Sequence, residues 1–380
     1  MDAQATAPFL RFFKDLKDPR RHNVRHVFTD ILTIAILAVL CRSDDWEDVV
    51  CWAEAEQQFL GTFLALPRGI PCADTFARVF SRIDPHAFEA CFVAWASALA
   101  ASLNGQVVSI DGKSLRHSFR HAWDRQMIHL VSAWAAENRL VLGQLAVDGK
   151  GNEITAIPKL LDLLNLAGAT VSIDAIGCQR EVAASILAGG ADHVLAVKEN
   201  QPTLHGKVVR LLDEAVLEQF DGMSHGYAGE TCGGHGRIET RRVWVTDEVE
   251  WLGEELLEQW PGLASVAVVE ARREVPGGKS SVERRYYISS RKGTDAPAMA
   301  KAIRGHWGIE NRLHWQLDVT FGEDDSRLRK GKGAENFSRL RRVVLNLLKT
   351  APAGKPRQSI KTRRYRCSID KKYLLAVLSQ

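Results

Sequence analysis

The tetrapeptide Val-Ser-Ile-Asp occurs twice in this chain, at Val108 to Asp111 and again at Val171 to Asp174, each time closing an apolar run. A carboxylate at the carboxyl end of a buried strand sits where open α/β sheets place their ligand chemistry. Two such strands side by side would bring Asp111 and Asp174 to one point. A third carboxylate, Glu310, falls in a helix-patterned segment with His306, Trp307, His314 and Trp315. Their i to i+4 and i to i+3 relations place them on neighbouring helical rows. Two aspartates and a glutamate from separate elements form an all-oxygen ligand set suited to Mg²⁺, which keeps several of its waters. Two such ions can activate an attacking oxygen and stabilise a leaving one during phosphodiester cleavage or strand transfer. Asp111 is the expected bridge between them, and Mn²⁺ is an expected substitute.

Each acid also has an ordinary structural reading. An aspartate ahead of glycine or alanine is a common turn former, and a glutamate on a Trp-bearing helix is commonly just exposed. Asp318 lies roughly 80° round and about 12 Å along an ideal helix from Glu310, badly placed to share an ion with it. Glu323, Asp324 and Asp325 have Arg327 and Arg329 close by as partners. The joint pattern carries the weight, not any single member.

The elements that must position these acids follow from periodicity. The first hundred residues read as helices: apolar positions from Trp46 to Leu64, a break at Pro67 to Pro71, a short helix capped by Asp74, and a helix from Phe88 to Leu103. This arrangement is compatible with a helix-turn-helix reader exposing Arg78 and Arg82, and equally with a plain bundle. After Gly105 the period changes to that of strands, at Val107 to Asp111, Met127 to Ala135 and Leu140 to Val147. Helix at Ile157 to Leu166, strand at Thr170 to Asp174, helix at Arg180 to Leu187 and strand at His193 to Val197 complete a βββαβαβ order. That order is an α/β, ribonuclease H-like plan with a mixed sheet, in which the first and fourth strands are neighbours. A glycine-rich, β-like stretch from Gly222 to Arg291 reads as an insertion, with strands at Ile238 to Val245, Ala264 to Ala271 and Val282 to Ser289. Helix resumes at Ala296. The expected division is therefore a helical unit at 1–104, a core at 105–221 and 292–350, a β-rich insertion at 222–291 and a basic segment at 351–380.

The charge is unevenly spread. The whole chain is formally +4, yet between Arg327 and Lys372 sixteen Lys and Arg face only Glu335 and Asp370. A concentrated basic stretch points to a polyanion, or else to a charged helix face. Seven cysteines without a C-x-x-C pair argue against a disulfide framework. Cys232 and His235 have ligand-like spacing but lack the second pair that zinc requires. The glycines of Gly229 to Gly236 match no phosphate-cradling loop. The most apolar run, Ile31 to Cys41, is too short to span a bilayer, and the N-terminus lacks a cleavable apolar core, so no membrane association and a cytoplasmic location are expected.

The motifs together resemble those of a family. His306-Trp307-Gly308-Ile309-Glu310-Asn311, Leu313-His314-Trp315, Leu317-Asp318-Val319-Thr320-Phe321 and Glu323-Asp324-Asp325-Ser326-Arg327 closely resemble the ISAs-type, or H-repeat-associated, insertion-sequence transposases, a branch of the DDE superfamily. The resemblance continues in Asp111-Gly112-Lys113, Asp174-Ala175, Lys198-Glu199-Asn200-Gln201, Gly234-His235-Gly236-Arg237-Ile238-Glu239 and the N-terminal Asp18-Pro19-Arg20. It implies that Asp111, Asp174 and Glu310 are the catalytic and metal-binding triad of a ribonuclease H-like core with a β-rich insertion, using two Mg²⁺ ions. It implies DNA partners, namely the terminal inverted repeats of the element and target DNA, and a homodimer in the active complex. Where the superfamily carries an Arg four residues before the glutamate and a Lys seven after it, this chain has His306 and Leu317. Phosphate contacts would then fall to Arg304, Arg312, His306 or His314, with Lys113, Lys198, Arg237, Arg327 and Arg329 as further DNA contacts. Trp244, Trp307 and Trp315 are candidate stacking platforms. The rival readings are a non-catalytic DNA-binding descendant and a ribonuclease H-fold repair nuclease.

Overall fold

The most apolar stretch of the chain becomes an interior helix because every residue from Ile31 to Leu40 is buried. In the computed structural model, which describes residues 7–21, 24–100, 102–118, 127–148, 152–234, 236–275, 278, 280–352 and 358–380, this is helix α1 (Phe28–Leu40). Helix α2 (Trp46–Ala55) follows, capped by Asp45, whose carboxylate accepts from the Asp48 amide. Then come α3 (Ala73–Phe80) and α4 (Pro85–Ala100). The expected cap Asp74 lies inside the first turn of α3 instead, and Cys72 holds the cap position, its side chain meeting the Thr75 hydroxyl and not capping the helix amides. Arg78 and Arg82 are exposed, as expected.

Three antiparallel strands come next: β1 (Val107–Ser114), β2 (Ile128–Ala135) and β3 (Leu140–Asp148). Helix α5 (Glu153–Leu161), β4 (Thr170–Ile173), α6 (Arg180–Ala188) and β5 (Asp192–Val197) reproduce the alternation read from the sequence. Helix α5 starts and ends several residues earlier than its apolar pattern suggests. The unanticipated α7 (Pro202–Leu217) then covers the sheet.

The glycine-rich stretch supplies β6 (Gly226–Gly234), β7 (Arg237–Thr246), a short α8 (Glu254–Gln259), β8 (Ser265–Glu274) and β9 (Ser281–Ser289). These strands extend the same sheet, because β9 pairs antiparallel with β5. The nine-strand order is β3-β2-β1-β4-β5-β9-β8-β7-β6. Strand β6 escaped the sequence reading because it is an exposed edge rich in glycine, with no apolar alternation to betray it.

Helix α9 (Ala296–Ile309) crosses β1 and β4, and Gly305 allows the close approach: a β-carbon there would sit 2.9 Å from Val107 Cγ1. The expected continuous helix through Glu310 is interrupted. Residues Glu310–His314 form a π-helical turn before α10 (Trp315–Phe321), and Gly322 in the left-handed region at φ 56° ends that helix. Helices α11 (Gly333–Thr350), α12 (Ile360–Ile369) and α13 (Lys371–Leu378) close the chain.

One hydrophobic core joins α1 to α4 with the end of α9, α10 and α11 to α13; a second lies between the sheet and α5 to α7. The first core corrects the reading of the basic segment. Arg339, Arg341, Arg342 and Arg364 are buried, not arrayed toward a polyanion. Arg339 pairs with Glu89, Arg342 with Glu323 at 2.9 Å, Arg364 with Asp44 at 2.9 Å and Lys371 with Glu56. Buried guanidinium groups require such partners, since an unpaired buried charge costs several kcal/mol. Arg327, Lys330, Lys332, Lys361 and Lys372 remain exposed. Among the described residues no helix is long and apolar enough to cross a membrane.

Candidate active site

The two copies of Val-Ser-Ile-Asp lie beside each other in register. Strands β1 and β4 run parallel with Val108 opposite Val171, Ser109 opposite Ser172 and Ile110 opposite Ile173. Asp111 and Asp174 are therefore the next residues on adjacent strands, whose spacing is about 4.8 Å. The shared tetrapeptide has a packing cause: Val108, Ile110, Val171 and Ile173 are buried together, and both serines are buried as well. Past Ile173 the paths differ. Strand β1 continues against β2, whereas Asp174 turns the chain, its carboxylate accepting from the Ile176 amide at 3.2 Å.

Glu310 is exposed at the first position of the π turn, and His314 occupies its last. The turn adds one residue per hydrogen-bonded loop relative to an α-helix, which swings the side chains after it onto a new row. His314 Nδ1 lies 3.5 Å from Asp111 Oδ2. This is a polar contact and not an ion pair, because burial drives the imidazole pKa down to about 3. His314 Nε2 and His306 Nδ1 are buried without partners. His306 lies against the Ser172 backbone, and burial lowers its pKa despite the attraction of Asp174 and Glu310. Both histidines are thus neutral donors or acceptors at pH 7.

The acids crowd one another. Burial, followed by the charge of Asp174 and then those of Glu310 and Glu153, pushes the Asp111 pKa up to about 8. Asp174 is raised by burial and by Glu153. A cluster of mutually repelling, partly desolvated carboxylates is the donor set that a hard divalent cation fits. Among the described residues, however, no three Asp, Glu, His or Cys side chains close around one point tightly enough to hold a single ion. His235, and with it any Cys232–His235 pair, lies outside the described residues.

The remaining sequence candidates separate into groups. Lys113 is 9% exposed, and its ammonium is enclosed by Asp318, by Glu323 at 3.1 Å and by Asp324 at 3.4 Å. Glu323 also binds Arg342, and Asp324 binds Arg116 at 3.1 Å, so the acids after Glu310 serve partners other than Arg327. Lys198 is exposed just past β5, and Arg312 is exposed on the π turn. Arg327 lies on the far side of Gly322, in a cleft with Asp44 and Trp46, and Arg329 donates to the His117 carbonyl at 3.0 Å.

Beside Glu310 a groove of ≈ 910 Å³ runs between α9 and the face of β7, β8 and β9, bringing together Arg237, Arg304, Trp307 and Arg312 with the unanticipated Arg241, Arg273 and Arg285. Three of these arginines share one acid, Glu239. Trp307, 43% exposed, lies 4.7 Å beneath the Arg285 guanidinium, and Trp315 is 52% exposed. Trp244 instead packs against Tyr227 and Phe220.

The most consequential residue that the sequence did not reveal is Glu153. It opens α5, is buried, and accepts from His129 Nε2 at 3.0 Å, while His129 Nδ1 meets Ser114 Oγ at 3.0 Å. Gly112 is needed here, since a β-carbon at that position would overlap the Glu153 carboxylate and the His129 ring. Nothing local in the sequence marks Glu153, because an acid in the first turn of a helix is unremarkable.

The chain is similar to known proteins over most of its length. The family described as "Transposase DDE domain" matches residues 103–347, and "DDE_Tnp_1-associated" matches residues 10–96. The chain is 48% identical over 284 residues to an "Uncharacterized protein in dhlA 3'region" of Xanthobacter autotrophicus, covering 73% of this chain and 93% of that one. It is 37% identical to "Putative transposase YncI" of Escherichia coli O157:H7, covering 100% of this chain and 95% of that one. It is likewise 37% identical to "H repeat-associated putative transposase YhhI" of Escherichia coli K12, covering 94% and 93%. The chain belongs to the DDE transposase family, in its H-repeat-associated branch.

Proposed function

We propose that Asp111, Asp174 and Glu310 are the catalytic carboxylates of this insertion-sequence transposase, holding two divalent cations, Mg²⁺ or Mn²⁺, on a ribonuclease H-like core. The observation that carries the reading is the register of β1 on β4, which sets two aspartates side by side where the parallel pairing of these strands ends, next to Glu310. The strand order β3-β2-β1-β4-β5 supports the core assignment, with 1–104 as a helical unit, 222–291 as a β-rich insertion and 351–380 as a basic terminal segment. When bound, the cations would supply an activated attacking oxygen and stabilise the leaving one.

The chain's own residues do the positioning. Gly112 N–H holds Asp111 Oδ1 at 2.9 Å, the Ile176 amide holds Asp174, and α9 delivers Glu310 across β1 and β4. Water first attacks the phosphodiester at an element end, freeing a 3′-hydroxyl. That hydroxyl then attacks a target phosphodiester, forming one P–O bond as another breaks. Element ends and target lie along the arginine groove, with Arg237, Arg304, Arg312 and Lys198 meeting phosphates, Trp307 and Trp315 offering stacking faces, and His306 and His314 donating from the neutral state. Arg327, in the separate cleft beside Asp44 and Trp46, and Arg329 are further contacts in this reading. Lys113 leaves the set, since its charge is spent on three carboxylates. Two ends held together call for a homodimer. Cleavage of DNA carrying the native ends, assayed with Mg²⁺, is expected to be lost in Asp111→Asn, Asp174→Asn and Glu310→Gln proteins. Undiminished cleavage in these variants refutes the reading.

A further inference from the structure

Glu153 is a buried acid whose carboxylate stands beside Gly112, the residue after Asp111, and pairs with His129. Its charge bears on both Asp111 and Asp174. Its carboxylate lies against the α-carbon of Gly112, the residue next to Asp111. Such a placement is costly for a structural residue, because burying a carboxylate near two like charges opposes folding. The surroundings also hold the side chain in one position. Since the carboxylate can only accept, His129 Nε2 donates to Glu153, and His129 Nδ1 bonds with the Ser114 hydroxyl at 3.0 Å. Ser114 and His129 are cross-strand partners on β1 and β2, so the sheet itself fixes the chain of bonds.

We propose that Glu153 is a fourth acidic group of the metal site, a positioning residue that His129 and Ser114 hold behind Gly112 and whose charge strengthens cation binding at Asp111 and Asp174. The inference rests on the assignment of those aspartates as metal ligands. It extends that assignment by explaining why the residue after Asp111 is glycine and why the edge of β2 carries a buried histidine. Outer groups of this kind typically change metal affinity by roughly 10–100-fold.

The test measures Mn²⁺ binding to the full-length protein without DNA, by electron paramagnetic resonance, together with thermal melting in chelator and with Mn²⁺. Glu153→Gln keeps size and an acceptor for His129. It is expected to weaken Mn²⁺ binding by roughly 10–100-fold while melting at or above wild type in chelator, since a repelling charge is gone. Glu153→Asp, which keeps the charge, is expected to bind within a few-fold of wild type, and it carries the test if the Gln protein does not fold. Wild-type Mn²⁺ affinity in Glu153→Gln, or an equal loss in Glu153→Asp, overturns the proposal. Asp111→Asn separates the two levels: if it loses Mn²⁺ while Glu153→Gln does not, only the fourth-acid proposal fails. If neither loses it, the metal-site reading fails as well.

Discussion

Replacing Asp111 with asparagine should make the metal-free protein more stable, and the structure gives the size of the gain. Asp111 has its pKa raised from 3.8 to about 8, first by burial and then by Asp174, Glu310 and Glu153. An acid with a raised folded pKa keeps its proton longer in the folded chain. It therefore costs folding nothing extra below pH 3.8, and the cost grows as pH climbs towards 8. At about 1.36 kcal/mol per pKa unit, the cost at pH 7 is about 4 kcal/mol, and at pH 5 it is about 2 kcal/mol. Asparagine keeps the shape and the acceptor for the Gly112 amide but carries no charge. With an unfolding entropy of roughly 2.1 cal/mol/K per residue, 380 residues convert about 4 kcal/mol into a rise of about 5 °C. The assay is melting in chelator at pH 5 and pH 7, then with Mg²⁺ added. The variant should gain about 2 °C at pH 5 and about 5 °C at pH 7, and added Mg²⁺ should raise wild type more than the variant. A variant that melts below wild type in chelator, or a gain that does not grow with pH, refutes the account of a mutually repelling acidic cluster.

Two other perturbations probe the surroundings of the site. Lys113→Met takes the cation from Asp318 and one of two cationic partners from Glu323 and Asp324, which should cost about 1–3 kcal/mol in urea unfolding and speed amide exchange through 315–325. Unchanged stability would mean that the ammonium is not the tie between β1 and the end of α10. Arg241→Ala and Arg273→Ala, on the groove face of β7 and β8, should each flatten the salt dependence of DNA binding by about 0.9 in the log–log slope. An unaltered slope would remove the groove from the DNA interface.

Much of the sheet was legible because its strands are short β-branched runs bounded by turns, and the repeated tetrapeptide even carried its own register. Both copies bury the same alternate pair of Val and Ile, so parallel pairing in step is the arrangement that packs them. The triad candidates were legible for the same reason, as residues that follow the apolar runs of two strands and of a helix. The π turn was not legible, since an insertion into a helix leaves composition unchanged and alters only which row follows. Nor was Glu153, because its relation to Gly112 and His129 runs through three elements that meet only once the sheet forms.

The clearest failure of linear reading concerns charge. The basic run from Arg327 to Lys372 stood out because helical residues are counted together whichever way they point. In α11 and α12 four of those arginines point inward, where Glu89, Glu323 and Asp44 receive three of them. Their role is to join the N-terminal helices to the C-terminal ones in one core. The available positive surface is instead written across strands. Arg237 and Arg241 stand on one face of β7 at the period of two, and β8 and β9 bring Arg273 and Arg285 beside them. A linear count averages each with the acids and apolar residues of the opposite face, such as Glu270 and Val268, and so sees no patch. A basic cluster in a helix-rich segment therefore needs an account of where its acids are before it is assigned to a polyanion. In this protein the acids are in the first hundred residues and after Glu310, and the arginines that line the groove stand on the sheet.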